Sequence, residues 1–184
     1  MKVFTYVDNS NVYIEGSRVS AVRKGMALNI YDAMNNKIVD RSWNIDYGLL
    51  HQFLCGTDQA EIGAARLWGS PPPSDSFWEM VARKGFTVET FDKSVSGQEK
   101  KVDVAIAYRI TKDAFTCIDK SEDEIVLVSG DKDFVPVIED LIKEGFKVKV
   151  AFWDQAAQEL KDSLRNSATD FLSLDPYFDL ISSK

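Results

Sequence analysis

Four aspartates stand where an α/β sheet would deliver them to one place. Asp8 closes the apolar run Val3-Phe4-Thr5-Tyr6-Val7, Asp131 and Asp133 follow Ile125-Val126-Leu127-Val128-Ser129-Gly130, and Asp103 opens an apolar helical run. In an open α/β sheet, ligands sit outside the carboxyl ends of the strands, so acids leaving two strand ends and a helix start converge on one crevice. Two like charges about 4 Å apart repel by roughly 4 kcal/mol at an effective dielectric of 20, against a total stability of about 5–15 kcal/mol for a domain. Such a group either takes up protons or holds a hard divalent cation. Oxygen ligands and retained waters suit magnesium or manganese.

Each acid also has a plainer role open to it. Asp131 or Asp133 can serve as the N-cap of the helix that follows, and Asp103 in a first helical turn is favoured by the macrodipole. In Asp8-Asn9-Ser10-Asn11, Asn9 and Ser10 read as local turn formers, while Asn11 is the better candidate to orient an acid or meet a substrate hydroxyl. Ser129 lacks the glycine pattern of a nucleophile elbow, and His51, the only histidine, lies on an apolar helix face, so a Ser-His-Asp mechanism does not fit. A Walker motif and a D-x-D-x-T strand end are both absent, which counts against a small-molecule phosphatase or nucleotide hydrolase.

The elements that must position these residues alternate. Short apolar runs predict strands at Lys2–Val7, Ala64–Trp68, Phe86–Phe91, Ile125–Val128 and Lys147–Phe152. Helical spacing predicts Asp46–Leu54, Asp75–Arg83, Val102–Ile118 and Phe134–Lys143, with Gly145 as a stop, then a helix over Ala156–Arg165 and an edge strand at Phe171–Leu174. Residues 25–44 break the rhythm and read as a hairpin or an inserted loop beside the active face. The expected class is α/β, a Rossmann-like three-layer α/β/α sandwich with a mainly parallel central sheet, and residues 1–184 read as a single domain.

Composition narrows the function classes. A chain of 184 residues, 45% hydrophobic, is long enough to bury about 70% of its unfolded surface in one core. Cys55 and Cys117 are far apart and form no metal-binding pair, so both read as core thiols in a reducing compartment. The first apolar stretch is too short for a signal peptide or a membrane span, which predicts a soluble, cytoplasmic protein without a membrane partner. A net charge of −7 argues against a passive nucleic-acid coat, unless the acidity is concentrated around a cation that recruits phosphate. Arg18, Arg23, Lys24, Lys100 and Lys101 are the local basic groups that could meet phosphate. Phe134 and Trp153 could stack on bases, although core packing suits both.

Three segments taken together carry a resemblance: V-D-N-S-N at a strand end, K-x-V-D-V-x-I-A at a helix start, and V-S-G-D-x-D-F-x-P followed by a helix, E-G and a strand. From about Lys2 to Leu174 the chain resembles a LabA-like NYN domain of the PIN-like nuclease superfamily. The resemblance implies a Rossmann-like sheet, an acidic pocket, Mg2+ or Mn2+ and metal-dependent hydrolysis of RNA. Asp8, Asp103, Asp131 and Asp133 fall on the acidic positions, with Asp8, Asp103 and Asp131 as metal ligands and Asp133 in a first or second shell. Asn11 and Ser129 fall on the polar positions, and Lys101 and Arg109 are candidates to bind substrate. The chain departs from the pattern at Arg109, where a second acid is frequent; Arg109 pairs with the cluster, contacts phosphate or points elsewhere. A catalytically weak module that binds RNA or a protein partner is the alternative, and a homodimer is left open.

Overall fold

The computed structural model describes residues 1–70, 75–91, 98–154 and 164–183, with the backbone alone at 98–100. Its elements are β1 (Val3–Asp8), α1 (Asn9–Arg23), α2 (Ile30–Asn35), α3 (Tyr47–Cys55), β2 (Ile62–Gly69), α4 (Ser76–Arg83), β3 (Thr87–Thr90), α5 (Gln98–Thr116), β4 (Glu124–Val128), α6 (Val135–Lys143), β5 (Lys147–Phe152), β6 (Asp170–Ser173) and α7 (Phe178–Ile181). The six strands form one sheet in the order β3-β2-β1-β4-β5-β6, and every pairing is parallel. The chain therefore winds outward from β1 in one direction, crosses back through α5, and winds outward again from β4. Its topological switch point lies between β1 and β4, the place where such sheets bind ligands.

Strands buried on both faces read as continuous apolar runs, which is why β1 and β4 stand out in the sequence. One face of the sheet carries Phe4, Tyr6, Trp68, Ile125 and Leu127 against Ile106 and Ile110 of α5 and Ile138 and Leu141 of α6. The other carries Val7, Leu67, Val126 and Val128 against Val12 and Val19 of α1, Leu50 of α3 and Val81 of α4. Phe134 and Trp153 are fully buried, in the first and second of these cores respectively, so neither is offered to a ligand.

The structure corrects several expectations. Asn9 and Ser10 are not turn residues but the first residues of α1, a helix that apolar spacing does not announce. Its core-facing side includes Asn9, Gly16, Ser17, Ser20 and Ala21 among its buried residues, and the bulk that fills the space comes from elsewhere. A Cβ on Gly16 would lie 2.3 Å from the Trp43 ring and 2.8 Å from the Trp153 ring. The helix ends as α6 does: Gly25 and Gly145 take φ of +71° and +94°, and Met26 and Phe146 donate to Ala21 and Leu141 in Schellman closures. Residues 25–44 are neither hairpin nor open loop but turns around α2, tied to α1 by the Asp40 N–H to Ser17 carbonyl bond.

Cys55 is buried as expected, but Cys117 is exposed just past the end of α5. The expected helix over Ala156–Arg165 falls largely on residues 155–163, outside those described. No helix among the described residues is long and apolar enough to cross a membrane.

Candidate metal centre

Asp8 ends β1 and caps α1: its Oδ1 accepts from the Asn11 amide at 3.2 Å. Strand alternation puts Asp8 on the same side of the sheet as Phe4 and Tyr6, the side that α5 covers. The carboxylate is buried at 5% exposure, and its Oδ2 accepts from the Ser129 hydroxyl at 3.2 Å. Ser129 follows β4 and is itself fully buried. Its Oγ also accepts from the Asp131 amide at 3.1 Å, so one hydroxyl joins the end of β1 to the acid turn beyond β4. Asn11 adds a second tie, its Oδ1 accepting from the Gly130 amide at 2.7 Å.

Beyond Gly130 the chain makes a single 3-10 turn, Lys132–Phe134, before α6. Asp131 is its N-cap, with Oδ1 accepting from the Asp133 amide at 2.9 Å. The capping role and the site role are thus compatible, because the cap engages one carboxylate oxygen and the bond holds Asp133 beside Asp131. Asp103 completes the group from α5. One carboxylate oxygen from each of Asp103, Asp131 and Asp133 lies within 4.8 Å of the other two. α5 begins at Gln98, so Asp103 sits in its second turn rather than the first, and the helix-end field is a weaker reason for an acid there.

At 4.8 Å each pair of charges repels by about 3.5 kcal/mol at an effective dielectric of 20. An all-oxygen, half-exposed group of this kind has the chemistry that a hard divalent ion requires. The donor set therefore fits magnesium or manganese. Of the acids expected to act together, Asp103, Asp131 and Asp133 stand in this group, while Asp8 is joined to it through Ser129. In strand order this follows from burial, since Asp8 is still within β1 whereas Asp133 lies on an exposed turn.

Arg109 is engaged elsewhere. Its guanidinium lies 3.8 Å from Glu89 of β3 and 4.0 Å from Asp113, one turn further along α5. Asp113 also accepts from the Tyr6 hydroxyl at 3.0 Å and from Arg66 Nε at 3.1 Å. Burial, reinforced by the Asp113 charge, pushes the Tyr6 phenol far above its ordinary range and keeps it a donor. The i, i+4 spacing of Arg109 and Asp113 was readable in the sequence; the approach of Glu89 from another element was not. Lys101 is exposed on α5, two residues before Asp103. Of the other basic candidates, Arg18 pairs with Glu15, Arg23 with Asp179 and Lys24 with Asp40, while the side chain of Lys100 lies outside those described.

Fold and site together define a doubly wound α/β domain with an acidic group at its switch point. The chain belongs to the NYN domain family, whose family model matches residues 2–175; that family lies within the PIN-like nuclease superfamily. The fold is shared with a protein of unknown function from Vibrio parahaemolyticus, whose crystal structure matches over 99% of this chain and 96% of its own, with a TM-score of 0.64 at 21% identity. No protein of curated function matches the chain.

Proposed function

We propose that this chain is a divalent-metal-dependent ribonuclease of the LabA-like branch, acting as one domain over residues 1–184. The observation that carries the reading is the meeting of Asp103, Asp131 and Asp133 within 4.8 Å at the carboxyl ends of the sheet. In this reading those three carboxylates hold magnesium or manganese. When bound, such an ion supplies Lewis acidity to a phosphodiester and acidifies the attacking water. Asp8 sets the position of Ser129, and Ser129 sets that of Asp131. Asn11 holds the Gly130 amide and so fixes the turn against α1. Lys101, free at the surface of the same helix as Asp103, offers charge to a neighbouring phosphate. Two free thiols, one of them exposed, suit the reducing cytoplasm.

Cleavage of a labelled single-stranded RNA in Mg2+ or Mn2+, abolished by chelator and by Asp131→Asn, is the result expected. RNA that stays intact with either ion overturns the nuclease reading. The placement of Arg109 favours a second reading, a catalytically weak RNA- or protein-binding module. With Arg109 beside Glu89 and Asp113, where the family resemblance implies a second acid, the acidic group is reduced. Unchanged RNA binding without cleavage would select that alternative.

A further inference from the structure

The helix α5 buries Ile106, Ile110, Asp113 and Ala114 toward the sheet. At about 100° per residue, the side directly opposite carries Lys101, Val104, Tyr108, Thr111 and Phe115, every one of them exposed. Val104, Tyr108 and Phe115 are 67%, 63% and 62% exposed. These positions advance by alternate steps of three and four residues, the seam spacing of a helix that pairs with another helix. A shallow groove of about 420 Å3 lies at one end of the seam, lined by Phe91, Lys101, Val104, Ala105 and Tyr108. Phe115 stands at the other end, about 16 Å along the helix from Val104, with its ring edge-on to Phe146 at 5.6 Å between centres.

We propose that this seam is a self-association surface, on which α5 of one copy lies antiparallel to α5 of a second copy. Three observations select a second copy in this orientation. The first is self-complementarity. A two-fold axis at the level of Arg109 and Ile110 sets Val104 opposite the partner's Phe115 and Tyr108 opposite the partner's Thr111. Each protruding Phe115 ring then meets the groove of the other copy, and the contact occurs twice, as an isologous interface requires. The second is charge. The same register brings Lys101 to the turn after the partner's α5, where Asp119 and Glu122 are exposed and the Lys120 amine is turned to the Glu144 carbonyl at 3.0 Å. A parallel pair would instead set Lys101 on Lys101 and Lys112 on Lys112. The third is closeness: Ala105 and Ala107 flank the seam and leave room for the helix axes to come within the usual packing distance of about 8–10 Å. One helix pair covers less than the roughly 800 Å2 per partner of a standard interface, so the dimer is reversible, with a dissociation constant on the order of 10 μM.

Sedimentation velocity of the full chain from roughly 1 to 200 μM tests the pairing. The sedimentation coefficient is expected to rise from the monomer value to the dimer value across that range. Tyr108→Glu and Val104→Glu are each expected to weaken association about thirtyfold or more. Both residues are largely exposed, so an unchanged Tm shows that the loss is of pairing and not of fold. Register is read by cross-linking in a Cys117→Ser background, which removes the exposed native thiol. Val104→Cys combined with Phe115→Cys should form disulfide-linked dimers under mild oxidation, because within one copy the two lie beyond the roughly 7 Å that a disulfide can span. Val104→Cys alone should not. A chain that stays monomeric throughout, as it would if the seam served an unlike partner, overturns the proposal. So does a dimer that neither glutamate variant weakens, or one that Val104→Cys alone cross-links.

Discussion

The Ser129 hydroxyl lies 3.2 Å from Asp8 Oδ2 across 121 positions of sequence, and in the same place it accepts the amide of Asp131. One buried oxygen therefore couples the end of β1 to the turn that presents two of the three clustered acids. The Ser129→Ala protein leaves a buried carboxylate oxygen and an amide without this partner, at a cost of about 1–3 kcal/mol. Urea unfolding should report that loss, and cleavage should fall with it. A variant as stable and as active as wild type would show that the tie holds nothing in place.

Charge repulsion among the acids predicts a separation of metal-free and metal-bound stability. Asparagine caps as well as aspartate, so Asp131→Asn should leave the metal-free protein equally or more stable. It should also abolish the rise in Tm on adding Mn2+. Thermal scans with and without the ion check both parts, and a marked loss of metal-free stability would mean that the Asp131 charge is favourable where it stands rather than repelled.

Asp8 and Asp131 differ in how they reach the centre, and their amides should differ in effect. Groups that orient ligands typically cost about 10–100-fold when changed, so Asp8→Asn should retain measurable cleavage where Asp131→Asn retains none. Equal losses in kcat for the two variants would place Asp8 among the direct ligands.

Gly130 tolerates no side chain. A Cβ there would lie 2.1 Å from the ring of Phe152, which is itself buried. Gly130→Ala should therefore cost about 1–3 kcal/mol through overpacking and displace the Asp131 turn. Denaturant midpoints measure the first effect, and the Mn2+-dependent Tm gain measures the second.

Acid stability should depend on Asp40, which lies away from the acidic group. Lys24 at 2.7 Å, Ser20 at 2.6 Å and Ser42 at 2.6 Å hold its carboxyl well below the usual carboxylate range. A lowered folded-state pKa gives stability that is present in full above the unfolded value of about 3.9 and is lost as pH falls toward the folded one. Glu15 works in the opposite sense, because burial pushes its carboxyl up. The difference between wild type and Asp40→Asn cancels Glu15 and should shrink as pH drops from 6 to 3. A difference that stays constant in urea midpoints across that range would remove Asp40 as the cause.

Much of this molecule is local in origin. The doubly buried strands announce themselves as apolar runs because their burial leaves no room for polar residues, and the D-x-D turn after β4 follows from its own cap. The helix α1 was hidden because its buried side, apart from Val12 and Val19, is made of small and polar residues, with Trp43 and Trp153 supplying the bulk from elsewhere in the chain. Chain order alone did not tell which acids share space, since Asp8 and Asp133 are equally acidic on paper. Strand order, burial at the end of β1 and the direction in which α5 returns placed Asp133 beside Asp103 and left Asp8 bonded to Ser129. The Glu89 partner of Arg109 likewise came from another element, an approach between β3 and α5 that no periodicity records.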